Sequence, residues 1–310
     1  MDYTDKISLL EQQIPFFNSS LTDCTICPRD CGVNRLAGEK GICRVTDQST
    51  VYSSFLHQGE EPPITGEYGS GTIFFSGCNL RCIFCQNYQF SHSVQGKALQ
   101  DRELADIMLS LQAKKAHNIN LVTPTHVLPF ILRALLIAGR KGLNLPIVYN
   151  TSGYEKQQII DRLAGIVDIY LADIKYYSSR LAQNCAQAPD YFEQCGHVVM
   201  SMYEQNRPRY VDGIMQKGLI IRHLVMPGQI EDSKAILAWI SENMPDTPVS
   251  VMFQYNPYYH ADRFPAINRR LSRYEYETIR DYAETLDLEG WIQDYNPPDD
   301  LAGVYFEQDI

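Results

Sequence analysis

The chain has 310 residues, 45% of them hydrophobic, which is enough to bury a sizeable core in one large domain or two smaller ones. Its formal net charge of −10 excludes the broad positive surface that holds a nucleic-acid backbone, so we expect no nucleic-acid partner. The opening MDYTDKISLLEQQ has the pattern of neither a signal peptide nor a transit peptide, and no apolar run is long enough to span a bilayer. These features predict a cytoplasmic protein that does not associate with membranes.

The N-terminal region combines a helix with a first group of cysteines. Apolar residues at helical spacing, Ile7, Leu10 and Ile14, predict a short amphipathic helix over residues 1–20. Four cysteines follow among glycines and a proline: Cys24, Cys27, Cys31 and Cys43. In a reduced chain such a group is typical of metal coordination, and four thiolates suit either structural zinc or an auxiliary iron–sulfur cluster. We therefore predict a small metal-knuckle module over residues 1–60 and leave its metal open.

A second group of cysteines follows an apolar segment. The TIFF sequence at residues 72–75 predicts a buried strand, which runs into a loop carrying Cys78, Cys82 and Cys85. Structural zinc usually has four protein ligands, whereas an iron–sulfur cube held by three cysteines leaves its fourth iron open. The spacing therefore favours an iron–sulfur cluster. The alternative is a zinc site completed by a distant histidine or cysteine.

Strands and helices alternate after residue 71. Strands are predicted at 71–76, 118–122, 145–149, 166–172, 219–226 and 249–255. Helices are predicted at 101–116, 127–141, 155–164, 189–204, 230–244 and 272–286. Six strand–helix units imply right-handed crossovers and a parallel sheet, hence an α/β fold with a partial (β/α)6 TIM-like barrel over residues 71–288. The Pro- and Gly-rich stretch 46–70 is predicted as a connector, and residues 289–310 as a tail without a regular period.

Charged residues follow the predicted strands at the ends where parallel sheets bind ligands. Asp173 and Lys175 are two residues apart and therefore share the inward face of their strand. Arg222, in the next strand, shares its face with Ile220 and Leu224. Buried charges are costly unless they hold each other or a charged ligand. The residues alone leave both interpretations open, an ordinary ion pair and a site for a charged ligand.

The cysteine loop resembles the signature of the radical S-adenosylmethionine (SAM) superfamily. The resemblance rests on the spacing C-x3-C-x2-C, on Phe84 before the last cysteine and on Asn87 after it. It implies a [4Fe–4S] cluster on Cys78, Cys82 and Cys85 whose open iron is chelated by SAM. Reduction of that cluster would cleave SAM to a 5′-deoxyadenosyl radical, which abstracts hydrogen from a substrate.

The strand ends further resemble the pyruvate formate-lyase activating enzyme and related glycyl-radical-enzyme activases. The matching stretches are Cys85-Gln86-Asn87, Asn150-Thr151-Ser152-Gly153, Asp173 with Lys175, and Arg222 to Gly228. The resemblance implies that SAM is contacted by Asn87, Thr123, Asp173, Lys175 and Arg222. It also implies a monovalent cation surrounded by Asn150, Thr151, the Leu171 backbone and Asp173. The N-terminal C-x2-C-P-R-x-C pattern resembles a less characterised branch that is labelled as similar to this activating enzyme.

Two positions depart from the family pattern. Thr123 and Thr125 stand where many members have glycines whose carbonyls face the amino group of SAM. Asn150 stands where the activases have an acid, so the implied cation site has one negative charge fewer.

Three functional hypotheses follow. The first is a radical SAM enzyme that abstracts hydrogen from a substrate, with the role of a glycyl-radical-enzyme activase as a candidate, and that receives electrons from a donor such as flavodoxin or ferredoxin. The second is a radical SAM enzyme that modifies a small molecule or a peptide, because the extra cysteines precede the loop here instead of following it. The third, from another class, is a non-catalytic iron–sulfur electron-transfer protein. A carrier has no use for a barrel with charges converging at one mouth, which favours an enzyme.

Overall fold

The computed structural model describes residues 3–297, where strands and helices alternate over most of the length. The strands are β1 Ser49–His57, β2 Ser70–Phe75, β3 Lys97–Leu99, β4 Ile119–Val122, β5 Ile147–Thr151, β6 Ile169–Asp173, β7 Arg209–Val211, β8 Ile214–Leu224, β9 Val249–Met252 and β10 Gly290–Ile292. The helices are α1 Tyr3–Ser19, α2 Pro62–Thr65, α3 Tyr88–Ser91, α4 Asp101–Ala113, α5 Leu128–Arg140, α6 Gln157–Arg162, α7 Ser179–Ala186, α8 Tyr191–Gln205, α9 Ile230–Asn243 and α10 Arg273–Thr285. The predicted elements are thus present, with ends shifted by a few residues.

Within residues 3–297 the strands form one ten-stranded sheet in the order β10-β9-β8-β6-β5-β4-β2-β1-β3, with β7 paired to β8. Every neighbouring pair from β10 to β2 is parallel, and β1 and β3 extend the edge in the antiparallel sense. The predicted α/β fold is confirmed, and the sheet is that of a partial TIM-like barrel. The six-unit prediction lacked β10, because a three-residue strand is too short for any periodic signal.

The two faces of the sheet bury different residues. Val148, Ile169, Leu171 and Ile220 pack with Ile64 of α2 in a small cluster, which defines the inner face. The alternate residues of the same strands join the large core beneath the helices. Side chains two positions apart in a strand lie on the same face. Asp173 follows Leu171 by two residues and Arg222 follows Ile220 by two, so both lie on the inner face.

The prediction of a connector over residues 46–70 is wrong. Residues 49–57 form β1, which pairs with β2 in antiparallel register from Val51 opposite Phe75 to His57 opposite Ser70. The short helix α2 then places the fully buried Ile64 against the inner face. The two prolines that suggested a linker form the first turn of α2, and Gly66 caps its C-terminal end. The pairing partner of β1 is not visible in the local sequence.

The N-terminal region packs on the barrel. The predicted first helix is confirmed as α1, whose buried Leu10 and Phe17 belong to the same core as the helices of the barrel. Arg29 ties the cysteine-bearing segment down, because its guanidinium donates to the carbonyl oxygens of Asn79 over 2.8 Å and of Ala186 over 2.9 Å. The region predicted as a knuckle module therefore shares its packing with the rest of the chain, and β1, which lies inside its predicted range, belongs to the main sheet.

Helix α4 begins at Asp101, and Gln100 holds its cap position in a capping box with Glu103. Helix α7 was not predicted. Of the predicted C-terminal tail, residues 298–310 lie outside the described part of the chain. No helix within residues 3–297 is long and apolar enough to cross a membrane.

Candidate functional site

The cysteine loop leaves β2 through a turn that requires glycine. Gly77 has a φ of +84°, and a Cβ built on it would lie 2.5 Å from the carbonyl oxygen of Cys43 and 3.1 Å from Nε2 of His126. Both the left-handed backbone and this close approach exclude a larger residue without a local shift. The turn brings the loop directly against the N-terminal cysteine-bearing segment.

The three thiols of the loop lie close enough to influence one another's ionisation. Burial, together with the neighbouring Cys82 sulfur, raises the pKa of the Cys78 thiol to about 12 and that of Cys85 to about 11. Burial also raises the pKa of Cys82. In the metal-free chain the thiols therefore keep their protons at neutral pH, so that a metal must displace protons when it binds.

Hydrogen-bond donors point at each of these sulfur atoms. The backbone N–H of Leu80 donates to the Cys78 sulfur over 3.3 Å, and the backbone N–H of Asn87 donates to Cys85. Two hydroxyl groups also contact the sulfur atoms: the Ser91 hydroxyl is 3.1 Å from the Cys85 sulfur, and the Tyr176 hydroxyl is 3.6 Å from the Cys82 sulfur. Donors of this kind stabilise a thiolate and orient it as a ligand. The donor set of the loop thus fits a thiolate-bound cluster.

The end of β6 supplies a pair of opposite charges beside the thiols. The Lys175 ammonium forms an ion pair with the Asp173 carboxylate, and each side chain is 20% exposed. Burial by itself would lower the pKa of Lys175, but Asp173 and the Cys82 sulfur outweigh it and raise that pKa. The structure therefore brings together the cysteine loop, Asp173 and Lys175, as the strand order predicts.

Arg222 lies on the inner face but is held by two carboxylates of this same chain. Its Nε donates to Glu61 over 2.8 Å, its Nη2 donates to Glu61 over 2.6 Å, and Nη2 also pairs with Glu60. These contacts raise the pKa of Arg222 in spite of its burial and lower that of Glu61. From the sequence, Arg222 was expected to contact SAM and not a carboxylate of the protein itself. Sequence reasoning missed Glu60 and Glu61 because they precede Arg222 by more than 160 residues, in the segment predicted as a connector.

Two of the remaining predicted residues meet where β4 and β5 end. Thr123 has a φ of +57°, a conformation that is an outlier for a β-branched residue, and its N–H donates to the carbonyl of Asn150 over 2.9 Å. Such strain, of order 1–3 kcal/mol, concentrates at functional sites. Thr123 adopts here the backbone conformation that glycine adopts without strain, at the position where the family pattern has glycine. Asn87 lies at the start of α3, directly after the cysteine loop.

Thr151 lies on the other face of the sheet. It pairs in register with Ala172, which belongs to the helix-side core, and its hydroxyl donates to Oε1 of Glu155 over 2.5 Å. The structure therefore does not bring this hydroxyl together with the Asp173 carboxylate, as the resemblance to the activases implied for a cation site. The physical reason is the two-residue period of the strand, which places Thr151 and Asn150 on opposite faces.

Sequence reasoning also missed a buried carboxyl group, that of Glu155. Its Oε1 accepts from Thr125 over 2.6 Å, from Thr151 over 2.5 Å and from Tyr149 over 3.4 Å. Burial raises its pKa to about 7 in spite of these hydrogen bonds. In the sequence, Glu155 is an ordinary acid that follows a Gly-Tyr pair. What distinguishes it is its complete burial, which cannot be predicted from the sequence.

The segment after β9 covers the cysteine loop from the side of the last strands. The Tyr255 ring lies 5.4 Å from the Phe84 ring, and the backbone N–H of His260 donates to the carbonyl of Ile83 over 2.8 Å. Tyr255 itself is only 3% exposed. These contacts fix the position of the loop and exclude water from one side of it.

The four N-terminal cysteines line one cavity of their own, which Asn79 and His126 also border. Neither there nor elsewhere in residues 3–297 do three or more histidine, cysteine or acidic side chains form a group that could hold a single metal ion. A cluster needs another arrangement, because each thiolate of a cube binds a different iron.

Comparison with known proteins agrees with this geometry. Residues 72–240 match the Radical SAM superfamily. An uncharacterized protein of Methanocaldococcus jannaschii is 32% identical over 296 residues, which cover 92% of this chain and 81% of that protein.

One solved structure is similar in fold, and a second gives a weaker match. A radical SAM methyltransferase from Sphaerobacter thermophilus superposes with a TM-score of 0.52 at 16% identity, over 76% of this chain and 69% of that chain. SuiB of Streptococcus suis, bound to S-adenosylmethionine, reaches 0.48 at 15% identity over 70% and 48% of the two chains, too low to carry an argument. At such identities only the fold is shared. The superfamily match nevertheless spans more than half of the sequence and includes the cysteine loop, and the chain therefore belongs to the radical SAM superfamily.

Proposed function

We propose that this radical SAM enzyme cleaves SAM at a [4Fe–4S] cluster bound by Cys78, Cys82 and Cys85 and abstracts a hydrogen atom from a substrate. One observation carries the proposal: the Asp173–Lys175 ion pair lies beside the thiols of the loop, close enough that the Cys82 and Cys85 sulfurs raise the pKa of Lys175. Three protein ligands leave one iron open, and the neighbouring pair of opposite charges suits the zwitterionic end of SAM.

The residues around the loop have distinct binding roles in this proposal. Lys175 binds the carboxylate of SAM, and Asp173 faces its positively charged groups. Thr123 presents its backbone carbonyl to the amino group of SAM, which explains why the chain tolerates a strained φ of +57° at that position. Asn87, two residues after Cys85 and at the start of α3, contributes a further contact to SAM.

The protein supplies orientation and exclusion of water, while the cofactors supply the difficult chemistry. When bound and reduced, the cluster provides the one electron that breaks a carbon–sulfur bond of SAM. Tyr255 and the backbone contact from His260 to Ile83 keep the loop in place and shielded. The electron comes from a donor such as flavodoxin or ferredoxin, which we propose as a partner.

Two substrate classes remain in the proposal. A glycyl-radical enzyme is the first, which makes this chain an activase that takes hydrogen from a backbone glycine. A small molecule or a peptide is the second candidate, and the inner face favours it. Arg222, Glu60 and Glu61 form a buried polar group there, which is suited to hold a small polar substrate inside the barrel.

Anaerobic reconstitution tests the proposal directly. The chain is loaded with iron and sulfide, supplied with SAM and dithionite, and assayed for 5′-deoxyadenosine. We expect product from the wild type and from Cys185→Ala, which removes a buried thiol of α7 that belongs to neither predicted ligand set, and none above background from Cys82→Ala. A wild type that binds iron and sulfide but forms no 5′-deoxyadenosine would instead support the electron carrier.

A further inference from the structure

The four N-terminal cysteines share one enclosed cavity although they are spread over 20 positions of the sequence. The cavity is lined by Cys24, Cys27, Cys31 and Cys43. Cys24 and Cys27 are buried, and Cys31 and Cys43 are half-buried. The fold has thus gathered four soft ligands around one space, which is the arrangement of a metal centre with no open coordination position.

The arrangement of the thiols argues against a single zinc ion. Zinc holds its four sulfur ligands about 2.3 Å from a common centre. Among the described residues the four cysteines do not form a group that converges on one ion in this way. The three cysteines of the loop after β2, where the superfamily binds its cluster, do not form such a group either. In a cube each thiolate binds a different iron, so its ligands need not share one centre.

In both groups of cysteines, backbone N–H groups donate hydrogen bonds to sulfur atoms two residues earlier in the chain. The N–H of Arg29 donates to the Cys27 sulfur, two residues before it, and the N–H of Val45 donates to Cys43. The loop repeats this spacing, with donors at Leu80 for Cys78 and at Asn87 for Cys85. Ile42 adds an N–H contact of 3.5 Å to the sulfur of Cys31. The sulfurs are prepared to be anionic ligands in both places.

A buried cation with an unused donor completes the N-terminal cavity. Arg35 is 0% exposed, and it donates to the carbonyls of Thr46 over 3.0 Å and of His126 over 2.8 Å. Its Nη2 has no hydrogen-bond partner among the described residues, nor does Nδ1 of His126, and both side chains line the cavity. A buried guanidinium and an unsatisfied buried donor are costly without an anionic acceptor. A thiolate-ligated cluster is negatively charged and offers inorganic sulfides as acceptors.

The cavity adjoins the first cysteine loop. Asn79 borders it and is the residue after Cys78, and the Arg29 guanidinium donates to the Asn79 carbonyl over 2.8 Å. At Gly77 the loop comes so close to the carbonyl of Cys43 that no side chain fits between them. The residues on either side of this contact, Cys43 and Cys78, belong to the two groups of cysteines, so the two groups adjoin each other.

From these observations we infer that Cys24, Cys27, Cys31 and Cys43 bind a second [4Fe–4S] cluster, fully ligated by protein, which passes single electrons to the cluster on the neighbouring loop. The relay, though not the binding, rests on the function proposed above. The electron enters from a low-potential one-electron donor: the second cluster is reduced by it and reoxidised as the first cluster is reduced. With four protein ligands the second cluster has no open iron and does not bind SAM.

Metal analysis of a variant that lacks the first site tests the binding. The triple variant Cys78→Ala, Cys82→Ala, Cys85→Ala is reconstituted anaerobically with iron, sulfide and zinc all present. We expect about four irons and four sulfides per chain, a visible absorption band that bleaches with dithionite, and no stoichiometric zinc. Zinc in place of iron, or no metal at all in a folded chain, would overturn the inference.

The converse variant guards against misfolding of the first. In the otherwise intact chain, replacing the four N-terminal cysteines by serine should lower the iron content by half, whereas Cys185→Ala should leave it unchanged. With dithionite as reductant this variant should still form 5′-deoxyadenosine, and with a flavodoxin or ferredoxin donor the rate should fall at least tenfold. Unchanged iron content contradicts the binding, and an unchanged rate with the protein donor contradicts the relay. Since 5′-deoxyadenosine formation with dithionite is measured separately, failure here and failure of the proposed function are distinguishable.

Discussion

The two groups of cysteines differ in how many ligands they offer and in what surrounds them. The loop after β2 offers three thiols and faces Asp173 and Lys175, a pair of opposite charges that is partly open to solvent. The N-terminal segment offers four thiols around an enclosed cavity, with the fully buried Arg35 as its charge partner. Under the two proposals above, the number of ligands and the nearby charge separate a centre that binds SAM from one that only carries electrons.

The largest expected effect separates the two groups directly. Cys82→Ala removes one of three ligands, and 5′-deoxyadenosine formation with dithionite should fall to background. Cys31→Ala removes one of four ligands from the other group and should retain product formation with this small reductant. A chromatographic assay of 5′-deoxyadenosine compares the two variants at equal protein. If both variants lose 5′-deoxyadenosine formation to the same extent, the two groups of cysteines do not have different roles.

Glu155 lies near the end of β5, where it accepts from Thr151, and its charge raises the pKa of Cys27 in the N-terminal group. Its own pKa rises from 4.5 to about 7 in the fold, so the folded state binds its proton more tightly. This contribution to stability is complete below the unfolded pKa and is lost as pH rises through the folded one. The free energy of unfolding should fall by about 3 kcal/mol between pH 4.5 and 7 from this group alone.

Denaturant unfolding as a function of pH measures this effect. Glu155→Gln should remove that part of the slope, whereas Glu284→Gln, at an exposed carboxyl of α10, should keep it. If the free energy of unfolding depends on pH in the same way in the wild type and in Glu155→Gln, the Glu155 carboxyl has an ordinary pKa in the folded chain.

Lys175→Met probes the charge pair beside the loop and keeps the length of the side chain. Loss of a charge-assisted hydrogen bond to the carboxylate of SAM, worth about 1.5–3 kcal/mol, should weaken SAM binding by about 10- to 100-fold. Titration calorimetry on the reconstituted chain measures the affinity. Lys141→Met removes a comparable ion pair with Asp106 on the surface and should leave the affinity unchanged. An unaltered affinity in Lys175→Met would remove this residue from the SAM site.

Gly77→Ala tests the contact between the two regions. A left-handed backbone costs an alanine about 1–2 kcal/mol, and at Gly77 the Cβ would also lie 2.5 Å from the Cys43 carbonyl. Gly142 has a φ of +97° with nothing within 4 Å, so Gly142→Ala isolates the backbone cost. We expect Gly77→Ala to lower the free energy of unfolding by about 1–2 kcal/mol more than Gly142→Ala. Equal costs in chemical denaturation would mean that the two regions are not in tight contact.

The sequence predicts much of the fold because the parallel strands bury both faces and stand out as apolar runs. It predicts that Asp173 and Lys175 meet the cysteine loop because parallel strands end at the same edge of the sheet. Strand β1 escaped prediction, since its serines and threonines carry little apolar signal and its partner β2 is set by backbone pairing.

The pairing of Arg222 with Glu60 and Glu61, and the burial of Glu155, could not be predicted either. Both depend on tertiary contacts that leave no local pattern: the first joins residues more than 160 positions apart, and the second depends on how deeply one turn is buried. The face on which the Thr151 side chain lies could not be predicted either, because similarity to a family motif does not fix it.

Electron paramagnetic resonance of the chemically reduced chain tests the division between the two sites most directly. The variant with serine at all four N-terminal cysteines retains only the loop cluster, and addition of SAM should shift its spectrum. The triple alanine variant at Cys78, Cys82 and Cys85 retains only the N-terminal cluster, whose spectrum should not respond to SAM. A spectrum of the loop cluster that is indifferent to SAM, or an N-terminal cluster that responds to it, would contradict the assignment of SAM to the three-cysteine loop.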